Sequence, residues 1–385
     1  MIKPGWARTL LVAAAFLGAA RPAPGQRINL GTVAPEGSPW HQILQQMGQE
    51  WRKISGGSIN LVIYSGVFGD EGEMVRKVRV GQLQAVGLSG AGLIHVAPGV
   101  SCLQIPMMIE SYEEFDYVRQ RMTPRLEPLI EQGGFQILNW SEVGWVHFFT
   151  KKPARTLDDI RKMKLFTSTG DPEAEKLYKE FRLQVVPLAV TDMLLSLRTG
   201  MIDAFHTPPL FAMLDQSFGV AKNMTPVNFA PLAAATLISK RAWERIPEPM
   251  RPKLLEAAQT AAQRRREEIR KMAVEAVAEM QKRGLNVVAL DAATIANWRT
   301  EAEATYPQIR GRLVPVDLFD KVKSLCQEFR LLQQAHKAEN PEEQLRIYTR
   351  VLELDPSHEG ALAGRKEARA KIEKIKKTQK GAGGF

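Results

Sequence analysis

Apolar positions change rhythm repeatedly in the roughly sixty residues after Arg27, and each change marks an element. Arg27-Ile-Asn-Leu-Gly-Thr-Val33 predicts a strand, followed by the loop Ala34-Pro-Glu-Gly-Ser-Pro39. From 40 to 54, Trp40, Ile43, Leu44, Met47 and Trp51 return at helical steps until Ser55-Gly56-Gly57 stops them. A strand follows at 59–64, a helix at 73–80 ended by Gly81, and a short strand at 85–88. This strand–helix–strand opening predicts a parallel sheet buried on both faces, the α/β class.

The alternation continues with strands at 135–141, 146–150 and 164–167, a helix at 172–181 and a strand at 184–187. A helix at 191–199 and a strand edge at 204–206 come next. From 248 to 282 the pattern is one long helix, with Leu255, Ala258, Ala262, Ile269, Met272, Ala276 and Met280 at helical steps and Gly284 as its stop. Such a helix is about 50 Å long, more than one domain is wide, so it is expected to brace two lobes. A strand at 287–290, a helix ending near Tyr306 and a stretch at 316–330 complete the body. Beyond Phe329, a helix, an Asp355-Pro356 turn and a second helix are expected, with Leu345, Tyr348 and Leu352 on one face.

Composition changes this picture mainly at the ends. The chain has 385 residues and a formal net charge of +10. Lys3, Arg8, Arg21 and Arg27 meet no acid within 1–27 and supply +4; eight Lys or Arg against Glu367 and Glu373 within 361–385 supply +6. Residues 28–360 therefore balance to zero, which removes the basic face that a nucleic-acid partner would require. Residues 1–26 have the order of a secretory signal: Lys3 and Arg8, an apolar run from Leu10 to Ala20, then small residues Ala23 and Gly25. That run is short of the roughly 20 residues a spanning helix needs, so export to the periplasm is expected, with an uncleaved anchor as the alternative. Cys102 and Cys326 are the two cysteines; pairing and separate burial both remain open.

Several segments, in order, resemble the solute-binding component of a TRAP (tripartite ATP-independent periplasmic) transporter over residues 27–325. They are Trp40-His41 after the first strand, Phe68-Gly-Asp-Glu71, the helix end Val80-Gly-Gln-Leu-Gln-Ala85, the stretch from Leu157 to Leu165, the stretch from Val186 to Asp203, and Leu237-Ile-Ser-Lys-Arg-Ala-Trp243. The resemblance implies two α/β lobes with crossing hinge strands, a long bracing helix and a ligand enclosed between the lobes. It divides the body into lobe I (27–143 and 230–262) and lobe II (144–229 and 263–325). Residues 326–376 resemble a tetratricopeptide repeat, and 377–385 form a basic, glycine-rich tail. The competing reading of 326–376 is an ordinary helical hairpin.

The departures from the family matter most. The resemblance implies arginines gripping a substrate carboxylate at the positions of Phe166 and Val146, and an Asn at the position of Thr207. A carboxylate buried against Phe166 and Val146 would be unpaired at a cost of several kcal/mol. The expected ligand is accordingly apolar or amphipathic, or carries a charge that is met elsewhere. Trp145, Val146, Phe166, Val190, Phe205, Phe211 and Met213 are the expected wall, and Ser89, His206 and Thr207 the polar contacts. Each has a competing reading as ordinary core, rim or cap. Ser89 precedes a helix start that could offer backbone N–H groups.

Catalysis finds no support. The six histidines (His41, His95, His147, His206, His336, His358) lack metal spacing, Gly87-Leu-Ser-Gly-Ala91 misses the nucleophile turn by its last residue, and no phosphate or dinucleotide loop occurs, so no cofactor or metal is expected. The expected mechanism is lobe closure about strands near 143–147 and 229–235, followed by docking on TRAP membrane permease subunits. The alternative is an exported ligand-sensing or scaffold protein that engages a protein partner through residues 329–376.

Overall fold

The computed structural model describes residues 25–169, 175, 178 and 181–382. Nearly all of the expected leader, and most of the helix expected over 172–181, lie outside the described residues. The chain opens with β1 (Gln26–Thr32), which runs parallel to β2 (Ile59–Ser65) and to β3 (Ala85–Ser89). Between β1 and β2 lies the helix Pro39–Ile54, whose N-cap hydroxyl on Ser38 accepts the amide of His41. Its apolar stripe, Trp40, Ile43, Leu44, Met47 and Trp51, is buried. Trp51 finds its polar partner across the fold, donating its indole N–H to the carbonyl of Leu254 at 2.8 Å.

The remaining strands are β4 (Phe135–Thr150), β5 (Lys164–Ser168), β6 (Gln184–Leu188), β7 (Ala204–Thr207), β8 (Asn223–Ser239) and β9 (Asn286–Val287). They form one sheet in the order β2-β1-β3-β8-β4-β7-β5-β6, with β9 alongside β8. β4 and β8 make the fold two-lobed. One end of β8 pairs with β3 and the other with β9, while the far end of β4 pairs with β7, so the two antiparallel strands run through both lobes. Their register shifts between Glu142 and Gly144 and again between Val146 and Phe148. Gly144, at φ +130°, supplies a backbone conformation that a side chain would strain. The strands expected at 135–141 and 146–150 are thus a single strand, interrupted in its pairing and not in its course.

Alternation along the second-lobe strands sorts side chains to two cores. Phe149, Phe166 and Phe205 face one; Phe148, Leu165 and Ala204 face the other, against Trp298. The long helix Arg251–Lys282 spans the lobes as expected: Leu254 to Ala276 bury against the first, and Met280 reaches the second.

Packing ties the long helix to both lobes. Ile269, Ala273 and Ala276 share one core with Trp51 and Ile43 of the first lobe and Leu210 of the second. Ile309, Val314, Leu318, Phe319, Val322, Leu325 and Cys326 join the core around Met74, Val100 and Phe115. The reason is the apolar stripe of the helix Val316–Lys337, which continues through position 326 without a break. Beyond it, the helices Pro341–Leu354 and Glu359–Ala382 form a hairpin on the end of that helix, around Leu331, Ala335, Tyr348 and Val351. Cys102 and Cys326 are both buried and both free, so the open question of a disulfide is answered against one. Among the described residues no helix is long and apolar enough to cross a membrane.

Candidate functional site

The ends of β1, β3, β5 and β7 and the middle of β4 and β8 converge on a cavity of ≈ 180 Å³ between the lobes. The first lobe contributes Thr32, Trp40, Leu44, Leu88 and Ser89; the second contributes Phe166, Ser168, Val190, Met193, Thr207 and Phe211. Val143, Val146, Leu232 and Ala234 come from the crossing strands. This is the place where an open α/β sheet offers a crevice, beyond the carboxyl ends of its parallel strands. The wall is dominated by carbon, and among the described residues that line it there is no Lys or Arg.

Seven of the ten residues named from sequence line this cavity: Ser89, Val146, Phe166, Val190, His206, Thr207 and Phe211. Three do not. Trp145 is turned by strand alternation away from Val146 and packs against Tyr112, with ring centroids 5.7 Å apart. Phe205 is fully buried beneath the cavity, stacked on Phe149 with centroids 5.0 Å apart and planes 6° apart. Met213 stands two residues from Phe211 on the short helix Pro209–Leu214, hence on a different face, and packs against the cores.

The sequence reading missed Glu71, the one carboxylate among the described residues of the wall. Its side chain is buried, and Ser89 donates to it twice, from the backbone N–H to Oε1 at 2.6 Å and from Oγ to Oε2 at 2.6 Å. The N–H that Ser89 was expected to offer to a ligand is therefore already taken. Gly92 permits this seat: a Cβ there would stand 2.7 Å from the Cβ of Glu71. Burial pushes the Glu71 carboxyl upward from its ordinary range, opposed by the hydrogen bonds from Ser89 and the Gly92 amide. A signal existed in Phe68-Gly-Asp-Glu71, but a carboxylate near a helix start usually serves only as a cap, which is what its neighbour Asp70 does for Glu73 at 2.7 Å.

A second, larger compartment of ≈ 420 Å³ adjoins the first and shares Ala91, Val146, Ser168, His206 and Leu232 with it. Arg312, His95, Gln104 and Thr169 lie on its wall. At the mouth, Thr169 Oγ1 donates to Asp70 Oδ2 at 2.5 Å, joining the second lobe to the first. His206 borders both compartments; burial depresses its pKa to about 4, which keeps the ring neutral at physiological pH. No group of three or more potential metal ligands occurs among the described residues.

Comparison with known proteins places this geometry. A family model for bacterial extracellular solute-binding protein, family 7, matches residues 30–311. A solute-binding protein of Verminephrobacter eiseniae is 24% identical over 266 residues, covering 68% of this chain and 78% of that protein. Among solved structures, a TRAP periplasmic solute-binding protein from Ralstonia eutropha with bound (S)-2-acetolactate superposes with a TM-score of 0.72 at 20% identity, covering 78% of this chain and 98% of that one. A TRAP periplasmic solute-binding protein from Sulfurospirillum deleyianum with bound succinate also gives 0.72, at 18% identity, covering 78% and 98%.

Proposed function

Since the chain belongs to the family of bacterial extracellular solute-binding proteins, family 7, a family of transport proteins and not of enzymes, we propose that its own solute is an apolar or amphipathic small molecule. The observation that carries this reading is the wall of the inner cavity. Phe166 and Val146 line it, with no Lys or Arg among the described residues around it. Succinate is bound by one structural neighbour, but a small dicarboxylate here would lose water against carbon on nearly every side, which costs several kcal/mol without a cationic partner. An apolar body loses nothing comparable and gains about 25 cal/mol for each Å² it buries.

Ligand enters the open crevice, the lobes rotate about β4 and β8 near 143–147 and 229–235, and the closed form hands its cargo to the membrane permease subunits with which TRAP binding proteins work. Residues 1–26 direct export to the periplasm in this reading. The supporting feature for the hinge is the pair of register shifts on either side of Gly144 and Val146, where pairing is already interrupted.

A thermal-shift panel tests the ligand class. Lipid fragments, hydrophobic acids and polar dicarboxylates are each offered at increasing concentration. A ligand held only by the folded state stabilises it by about 2.7 kcal/mol at one hundred times its Kd, so a true ligand raises the melting temperature by several degrees. Amphipathic compounds are expected to do so. Stabilisation by small dicarboxylates alone would overturn the reading.

A further inference from the structure

Far from the crevice, at the other end of the chain, we infer a membrane-facing surface: the helix Glu359–Ala382 lays a row of basic side chains on anionic phospholipid and holds the solute-binding body against the bilayer. This goes beyond the transport reading and does not depend on which solute the crevice takes.

Charge is the first observation. Residues 28–360 balance to zero, whereas 361–385 carry +6, so the excess sits at one end of the fold. The helix then sorts it to one side. Eleven residues make about three turns, which sets Lys376 in line with Arg365 and Lys377 in line with Lys366. Arg369 falls between them, at i+4 from the one and i+3 from the other. Glu373 is the one acid on that side. The ion pair within this helix, Lys371 to Glu367 at 2.7 Å, lies on the opposite side. Leu362, 40% exposed, heads the basic row.

Reach is the second. The helix has 24 residues and its partner Pro341–Leu354 has 14, so it is about 36 Å long against about 21 Å. Its seam is buried at Ala361 and Ala368, but Ile375, seven residues further on, is 46% exposed. The last turns therefore stand clear of the hairpin with their cations in water. A straight row of like charge matches a plane of phosphates, because each cation meets an anion without a fixed partner geometry. Each Lys or Arg within a screening length of about 8 Å contributes roughly 5-fold in binding. The contact is one of attachment to the surface, since no described helix is long and apolar enough to cross a membrane.

The helix would carry the body with it. His358, next to its first residue, lies 3.2 Å by Nε2 from the hydroxyl of Tyr117, which donates to the fully buried Glu328. Arg121 stacks over the Tyr117 ring at 3.5 Å. The hairpin is thus fixed to the helix Tyr112–Gln132 of the body.

Flotation with vesicles tests this on residues 26–385, which hold every strand and helix named above and omit an apolar leader able to enter lipid by itself. Phosphatidylglycerol-rich vesicles are expected to bind at least about 10-fold more protein than pure phosphatidylcholine vesicles, and to release it near 1 M salt, where screening falls to about 3 Å. Exchanging Lys366, Arg369, Lys376 and Lys377 together for Gln keeps helix propensity at exposed positions. That variant should bind anionic vesicles at least about 10-fold less well, with the wild-type melting temperature and thermal response to solute. Equal binding by variant and wild type overturns the inference, as does equal binding to the two kinds of vesicle. Absence of binding to either also overturns it and leaves an acidic protein surface as the partner. Should the fourfold variant not fold, the lipid and salt dependence of the wild type decides alone.

Discussion

His147 and His206 occupy neighbouring strands, with His147 opposite Thr207 and His206 opposite Phe148. Neither ring finds a partner for Nδ1 among the described residues. Burial holds both near pKa 4, against an ordinary value of 6.5. The unfolded chain therefore takes up these two protons first as pH falls, and the folded state loses stability between pH 6.5 and 4, by roughly 3 kcal/mol for each ring at the low end. His206→Phe should remove about one such increment from the acid-induced loss, measured as urea unfolding at pH 7.5 and at pH 4.5. An unchanged acid response would mean that His206 is charged or solvated in the native protein. The same residue shows what was legible at this scale. Thr207, Phe166 and Val146 were named because family positions point to them, and all three line the cavity, as does His206. Trp145 and Phe205 stand off the cavity because adjacent strand residues differ only in which face they occupy, and Glu71 was missed because its partner Ser89 is 18 positions away.

Where β4 crosses between the lobes, one side chain gathers three elements. Arg270, on the helix Arg251–Lys282, donates from Nε and Nη2 to Glu142 at 2.7 and 2.9 Å, a two-pronged contact. Its guanidinium also meets Asp116 at 2.9 Å and lies 4.4 Å from the ring centre of Tyr112, both on the helix Tyr112–Gln132. Glu142 is 3% exposed, so cutting the pair strands a buried charge. Arg270→Ala is expected to cost about 3–5 kcal/mol by urea unfolding, and Glu142→Gln added to it should recover part of that loss. Equal loss in the single and double variants would show that Arg270 acts through packing instead. The long helix was readable from its 3.6-residue stripe. The helix Tyr112–Gln132 was not read from that stripe, since Pro124 and Pro128 lie inside it and each removes a backbone donor.

At the scale of the molecule, the lobes are joined by β4, β8 and the long helix. In the proposed mechanism, contacts at the mouth of the crevice form and break with each ligand. The hydrogen bond from Thr169 to Asp70 at 2.5 Å is one such contact, made across the mouth between the end of β5 and the cap of the helix Glu71–Arg79. Opening the lobes returns both groups to water, so the net worth of the bond is the difference between a charged hydrogen bond in the mouth and two hydrated groups, about 1.5–3 kcal/mol. If that energy is spent in holding the closed form, its loss appears mainly in the rate of release. Thr169→Val should speed dissociation of a stabilising ligand by about 10-fold or more in stopped flow and leave the melting temperature of the ligand-free protein within a degree or two. In small-angle scattering, the variant at saturating ligand should reach the same compact size as the wild type, because the ligand and not this bond supplies most of the closing energy. Release at the wild-type rate would instead show that the two lobes are held shut by the buried wall around Phe166 alone.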